Sequence, residues 1–152
     1  MISLIETYEV KADAKARVKL PSGLRKELQP IINEGFVLKR NIFDKCLELF
    51  PMTEWKKEAA KLGKLNRFKR ENVEFIRVFM AGVRVVEVDA AGRIQLPKDL
   101  VNYAGIKRSL VISSSVTRME IWDKEAYDAK LMDPNIGDLA EKVMGDLPPD
   151  DE

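Results

Sequence analysis

An aspartate and an arginine four positions apart recur in two copies of one motif, and they are the residues of this chain best suited to chemistry. The first copy reads DAKARVKLP at residues 13–21, and the second reads DAAGRIQLP at residues 89–97. The shared pattern, D-x-x-x-R-(apolar)-x-L-P, indicates a duplicated structural unit. The planar guanidinium of Arg17 or Arg93 can donate two parallel hydrogen bonds, either to a carboxylate or to the O6/N7 edge of a guanine.

The first copy lies in the more basic surroundings. Residues 11–25 contain one carboxylate, Asp13, and five cations, which are Lys11, Lys15, Arg17, Lys19 and Arg25. Lysines are point charges, so those of the first copy suit contacts with phosphates, which position a protein on DNA without reading its sequence. Each of them equally fits the ordinary solvated face of a strand. The second copy carries Gln95 in place of Lys19, and we therefore expect the two copies to contribute unequally.

Composition excludes several classes of function. The chain contains no histidine and a single cysteine, which removes the usual zinc sites and the usual catalytic triads. No group of carboxylates has a recognisable catalytic spacing, and no glycine-rich phosphate loop of either common type is present. We therefore predict no enzymatic activity, no cofactor or metal, and no small-molecule effector. Cys46 lies in a strand-like apolar run and is expected to be a small buried hydrophobe.

The charge and hydropathy of the chain favour a soluble protein. Hydrophobic residues make up 45% and charged residues 34% of the 152 positions. No apolar run approaches the roughly 18 to 20 residues that a spanning helix needs, and residues 1–6 lack the features of a signal peptide. The expected location is the cytoplasm, with no membrane partner.

Period-2 alternation predicts the strands that position the motifs. Residues 6–11 and 17–20 alternate between apolar and polar positions, and the short segment between them, with Asp13 as a turn residue, predicts a hairpin. Further strands are predicted at residues 35–39 and 46–50, with counterparts at 109–113 and 119–122. A short helix, capped by Ser22, should follow the first Leu-Pro and end before Pro30.

Helices are predicted after the second strand of each half. In the first half they cover residues 53–62 and 66–80. We interpret the cations along these helices as a solvated face; the alternative is that they contact phosphates or a neighbouring subunit. These cations are Lys56, Lys57, Lys61, Lys64, Arg67, Lys69 and Arg70. In the second half, Asp123 is a good N-cap. The pairs Trp122–Tyr127 and Phe50–Trp55 have the spacing of hydrophobic staples.

The motif pair, its spacing, the LELFP run at residues 47–51 and the EIWD run at residues 120–123 occur together in this chain. In this combination residues 5–132 resemble the MraZ family of bacterial transcriptional regulators. The resemblance implies a SpoVT/AbrB-like fold in which hairpins are swapped between two halves of one chain. It also implies a closed ring of identical subunits that binds double-stranded DNA, at direct repeats in the promoter of the cell-division and cell-wall operon. Such a protein would be cytoplasmic and associated with the nucleoid.

The chain departs from the common D-x-K-G-R form of the family motif at one position in each copy. The first copy has Ala16 where glycine is usual, and the second has Ala91 where lysine is usual. Because alanine is strained at positive φ, we expect the first turn to have a different shape from the second.

The resulting fold prediction is an α+β protein with a duplicated swapped-hairpin β-core, flanking helices and two pseudo-symmetric halves. We expect a first half with a helical extension at residues 1–80, a second half at 81–133, and an acidic, disordered tail at 134–152. The apolar residues of the motif strands should be mostly buried; they are Tyr8, Val10, Val18, Leu20, Val86, Val88, Ile94 and Leu96.

The site prediction is that Arg17 and Arg93 read bases, that Lys11, Lys15 and Lys19 contact phosphates, and that Asp13 and Asp89 frame the turns. The alternative is a ring-forming structural or protein-interaction scaffold, in which each D-x-x-x-R motif is only an internal ion pair that closes its turn.

Overall fold

The structure is a computed structural model that describes residues 3–148. The elements of this part of the chain are β1 (Thr7–Lys11), β2 (Arg17–Lys19), α1 (Ser22–Leu28), a 3-10 helix (Ile32–Glu34), β3 (Phe36–Arg40), β4 (Leu47–Pro51), α2 (Met52–Gly63), α3 (Arg70–Met80), β5 (Arg84–Val86), β6 (Arg93–Gln95), α4 (Lys98–Ala104), β7 (Ser109–Ser115), β8 (Arg118–Asp123), α5 (Lys124–Lys130) and α6 (Ile136–Gly145).

The two halves interleave in one antiparallel sheet of order β1-β7-β8-β4-β3-β5. Strand β1 of the first half pairs with β7 of the second, with Thr7 opposite Ser113, and β5 of the second half pairs with β3 of the first. The two motif strands, β2 and β6, form a separate ribbon in which Val18 lies opposite Ile94. The predicted α+β fold with a duplicated core is confirmed.

The hairpin turn predicted between β1 and β2 forms, with the Asp13 N–H donating to the Arg17 oxygen at 3.0 Å, but the predicted pairing of the two strands is wrong, because beyond the turn they share only an isolated bridge between Ala12 and Val18. Pairing with the seven-residue β7 gives each of the five residues of β1 a partner, whereas β2 has only three residues to offer. The arms are therefore exchanged between the halves, as the family resemblance implied.

One apolar cluster is filled from both halves. Of the eight residues expected to be mostly buried, five are buried and three are half-buried and pack against the cluster. The buried ones are Val18, Leu20, Val86, Ile94 and Leu96, and the half-buried ones are Tyr8, Val10 and Val88. Burial from both halves couples the two motif strands to one core.

Aromatic contacts attach the helices to the sheet. The ring centroids of Phe50 and Trp55 lie 5.4 Å apart, and those of Trp122 and Tyr127 lie 6.0 Å apart, so both predicted staple contacts form. Asp123 caps α5 by accepting a hydrogen bond from the Ala126 N–H at 3.4 Å. Cys46 is fully buried, as expected.

Three local predictions are corrected. Helix α1 begins at Ser22 after an N-cap at Pro21, so Ser22 does not cap it. Helix α3 begins at Arg70 rather than at residue 66, because Asn66 instead uses its side chain to form a turn. The segment expected to be a disordered tail contains α6, since its apolar residues recur at helical spacing; residues 149–152 lie outside the described residues.

Candidate nucleic-acid interface

The first motif turn is built around the carboxylate of Asp13. Its Oδ1 accepts hydrogen bonds from the backbone N–H groups of Lys15 and Arg17, both at 2.9 Å, and its Oδ2 accepts one from Arg17 Nε at 2.7 Å. The Arg17 N–H and guanidinium and the Lys15 N–H together lower the pKa of Asp13, because each of them favours the ionised carboxylate. One side chain thus fixes the shape of the turn and the direction of Arg17.

The second turn has the same geometry. Asp89 accepts from the N–H groups of Ala91 and Arg93, both at 2.9 Å, and from Arg93 Nε at 3.1 Å. Ala16 and Gly92 occupy equivalent positions, with φ of +58° and +79°. The expectation that Ala16 changes the shape of its turn is therefore wrong, because the Asp13 hydrogen bonds hold the alanine in the left-handed region.

Both arginines use only Nε to bind the aspartate. Within residues 3–148 the two outer nitrogens, Nη1 and Nη2, of Arg17 and Arg93 make no hydrogen bond. The two side chains are 31% and 33% exposed. Each guanidinium is therefore oriented by an ion pair and still has outer donors for a further partner.

The β2–β6 ribbon brings the motif side chains onto one face. Val18 and Ile94 point into the core, so the alternating residues on either side of them lie on the opposite face. Arg17 lies opposite Gln95, and Lys19 lies opposite Arg93. Two arginines and one lysine thus share a narrow two-stranded surface.

Gln95 has a structural role on this ribbon. Its Nε2 donates to the backbone oxygen of Lys15 at 2.7 Å and to that of Leu96 at 3.2 Å. The side chain that replaces a lysine in the second copy thus ties β6 to the turn of the first copy.

The remaining predicted lysines are exposed beside the ribbon. Lys15 lies at the tip of the first turn, and Lys11 ends β1 opposite Ser109. Neither lysine forms an ion pair with another described residue. Both ammonium groups are available to an anionic partner.

Arg108 is a candidate that the sequence analysis missed. Its backbone oxygen accepts from the Ala12 N–H at 2.8 Å, which places it beside the first turn. A cleft of about 460 Å³ is lined there by Ala12, Asp13, Ala14, Lys107 and Arg108. Lys107 already forms an ion pair, with its Nζ 3.2 Å from Asp123 Oδ2. Arg108, in contrast, is exposed and forms no ion pair within the described chain. The adjacent cations directly before a strand were the available sequence signal.

Comparison with known proteins agrees with this duplicated geometry. A family model described as "MraZ protein, putative antitoxin-like" matches twice, at residues 4–78 and 79–134, so each match contains one motif turn. A protein of Christiangramia forsetii is 52% identical over 147 residues, which is 95% of each chain. A protein of Flavobacterium psychrophilum is 48% identical over 154 residues, covering 99% of this chain and 98% of the relative. A third, from Bacteroides thetaiotaomicron, is 33% identical over 148 residues, or 96% and 95%. All three are named "Transcriptional regulator MraZ".

This chain belongs to the MraZ family.

The two turns of this MraZ-family chain differ in their surroundings rather than in their shape. Beside the second turn lies a cleft of about 240 Å³ whose only lysine or arginine is Arg25, in company with neutral residues such as Gln29 and Asn33. The Arg25 Nε is buried and has no hydrogen-bond partner among the described residues, while its Nη1 lies close to Gly92 in the second turn. The first turn is flanked by Lys15 and Arg108, whereas the second is flanked by Lys19, which lies opposite Arg93, and by Arg25.

Over the described part of this MraZ-family chain, no group of three or more histidine, cysteine, aspartate or glutamate side chains is arranged to hold a metal ion. None of the helices there has the length and apolar character needed to cross a membrane.

Proposed function

We propose that this chain is a transcriptional regulator that binds double-stranded DNA with sequence specificity through its two D-x-x-x-R turns. The names of its relatives support the regulatory role. In this proposal the target is a set of direct repeats in the promoter of the cell-division and cell-wall operon. The protein acts in the cytoplasm, in association with the nucleoid, and has no catalytic activity.

The observation that carries the proposal is the polar face of the β2–β6 ribbon. A B-DNA major groove is about 12 Å wide and admits a two-stranded ribbon. Arg17 and Arg93 are held by their aspartates, so their outer nitrogens reach a guanine edge with little loss of side-chain entropy. These two arginines read bases in the proposal.

Lysines and one further arginine supply the contacts with the phosphates. Lys11, Lys15 and Arg108 lie beside the first turn, Lys19 lies opposite Arg93 beside the second turn, and all four are exposed. Contacts with phosphate oxygens fix the register of a protein on DNA but carry no sequence information. The first turn should therefore contribute more to affinity than the second.

The alternative function is that of a ring-forming scaffold in which the motifs are only internal ion pairs. The observed Asp13–Arg17 and Asp89–Arg93 pairs are what this alternative requires. The pairs use only the Nε atoms, however, and a purely structural pair gives no reason for basic residues to collect around the ribbon and its turns. The ribbon face therefore favours DNA binding.

Assembly is part of the proposal. One chain offers one pair of turns, whereas direct repeats offer several identical sites. Identical subunits in a closed ring would engage several repeats at once, which raises the effective concentration of each successive contact. A strictly monomeric protein at micromolar concentration, measured by light scattering, would contradict the ring.

The test compares Arg17→Ala with Lys15→Ala on a DNA fragment from upstream of the chain's own gene. Loss of a bidentate contact with guanine should cost about 1 to 3 kcal/mol, or roughly 5- to 150-fold in affinity, and should relax the preference at one base position. Lys15→Ala and Arg108→Ala should weaken binding to all sequences alike and should each reduce the salt slope by about one. Arg93→Ala should have the smaller of the two arginine effects.

Circular dichroism and light scattering serve as the controls, because fold and assembly should survive all four substitutions. If Arg17→Ala unfolds the protein or disperses the oligomer with no specific loss of DNA binding, the arginine is structural and the scaffold is the better assignment.

A further inference from the structure

Helix α6 presents an apolar stripe that nothing in the described chain covers. Every residue from 128 to 148 is exposed. The apolar side chains recur at the spacing of one helical face, and their exposed fractions are 48–65%; they are Ile136, Leu139, Val143, Met144 and Leu147. A ten-residue helix is marginal in water on its own, so α6 needs a partner that covers this stripe.

The charge around α6 restricts the chemistry of that partner. Residues 133–147 contain the single cation Lys142 and four carboxylates, which are Asp133, Asp138, Glu141 and Asp146. DNA and anionic lipid surfaces would repel such a segment. The partner should be a protein surface that is apolar at its centre and positively charged around it.

The loop between α2 and α3 has these properties. Phe68 is 100% exposed. The loop is nevertheless ordered, because Asn66 Oδ1 accepts from the Phe68 N–H at 3.0 Å and Asn72 Nδ2 donates to the Asn66 oxygen at 3.0 Å. An exposed aromatic side chain on a fixed loop is typical of an anchor that fills a partner's surface.

Cations surround this anchor, and the adjoining helix extends its apolar surface. No ion pair within residues 3–148 involves the four basic residues of the loop region, which are Lys64, Arg67, Lys69 and Arg70. Along α3, Phe75, Val78 and Met80 are 44%, 57% and 40% exposed. We name Phe68, these three side chains and the four cations the α2–α3 surface.

We propose that α6 of one subunit docks its apolar stripe on the α2–α3 surface of a second copy of this chain. The two surfaces are complementary in charge, and both are exposed in the single chain, so they do not satisfy each other within one subunit. Because they are different surfaces, the contact is head-to-tail and closes into a ring when the rotation allows. This inference rests on the assembly part of the proposed function and assigns its interface.

Paired charge reversals test the contact directly. Variant A carries Arg67→Glu and Lys69→Glu, and variant B carries Asp138→Lys and Glu141→Lys. Each variant alone should dissociate, with an apparent association constant at least tenfold below that of the unmodified chain in sedimentation velocity. A 1:1 mixture of A and B should assemble again, because α6 of each variant then meets a surface of opposite charge on the other.

A matched control reverses Lys26 and Lys98, two exposed cations on α1 and α4, to glutamate and should leave assembly unchanged. Leu139→Asp, which places a charge in the apolar stripe, should dissociate the oligomer. Unchanged assembly of A and B would overturn the proposal, as would dissociated variants that stay apart when mixed. These readouts contain no DNA, so a failure of DNA binding in an intact oligomer would sink only the proposed DNA-binding function.

Discussion

The position shared by Ala16 and Gly92 allows the turn geometry to be tested by substitution. Gly92 has φ of +79°, where an L-residue costs about 1 kcal/mol. A Cβ at this position would lie 2.7 Å from Arg25 Nη1 and 3.1 Å from Arg25 Cδ, so the arginine would have to move. We estimate a further cost of about 1 kcal/mol for this displacement, comparable to an off-rotamer side chain. Gly92→Ala should therefore lower the free energy of unfolding by about 2 kcal/mol.

Ala16→Gly is the matched control in the other turn. It relieves the left-handed alanine but increases the entropy of the unfolded chain and removes a half-buried methyl group. We expect a change between zero and about 1 kcal/mol of stabilisation. Urea unfolding at one fixed protein concentration measures both variants, since the stability of an oligomer depends on concentration. A loss below about 0.5 kcal/mol for Gly92→Ala would refute the idea that this turn requires glycine.

Three further predictions concern buried and charged groups. Burial lowers the pKa of Lys39, whose Nζ lies 3.5 Å from Glu48 Oε1 and over the ring of Phe79. Lys39→Met should therefore lower the free energy of unfolding in urea by about 3 kcal/mol, and adding Glu48→Gln should restore part of that loss. Burial raises the pKa of the Cys46 thiol, so Ellman's reagent should label it at pH 8 only after unfolding. Hydrogen bonds from the turns lower the pKa values of Asp13 and Asp89. The stability that these carboxylates contribute is therefore fully present above the ordinary pKa of 3.8 and is lost as the pH falls through the lowered values. In an acid titration, the free energy of unfolding of the two Asp→Asn variants should fall less steeply than that of the unmodified chain.

Much of the fold could be predicted from the sequence because the motif occurs twice in the chain. The repeated spacing predicted β2, β6 and the strands after them, and the alternation of Val18 and Leu20 predicted which side faces the core. The pairing of β1 could not be predicted from local pattern, because a short turn permits a hairpin whether or not a better partner lies elsewhere. Only the family resemblance pointed to the exchange of arms.

The sequence predicted those contacts of the site that join residues close together in the chain. Asp13 and Arg17 are four positions apart, so their contact is visible in the sequence. Arg108 lies 95 positions after Asp13, and only the pairing of β1 with β7 brings it to the same turn. Gln95 was noted as a missing cation, but its hydrogen bond to Lys15 depends on the β2–β6 register.

The apolar stripe of α6 was missed for a different reason. The acidic residues and the prolines near the end of the chain outweighed the helical spacing of its apolar side chains, and this composition favoured disorder. An exposed stripe gains its stability from a partner, which the sequence of one chain does not display.

The ribbon and its surrounding cations are proposed to bind DNA, and the salt dependence of that binding tests this most directly. If four exposed cations around the ribbon, Lys11, Lys15, Lys19 and Arg108, each neutralise a phosphate, the slope of log K against log salt is about −3.6 per subunit. Affinity for DNA from upstream of the chain's own gene should then fall roughly 100-fold or more between 50 and 200 mM salt. Binding that is absent, or unchanged over this range, would contradict the claim and favour the scaffold.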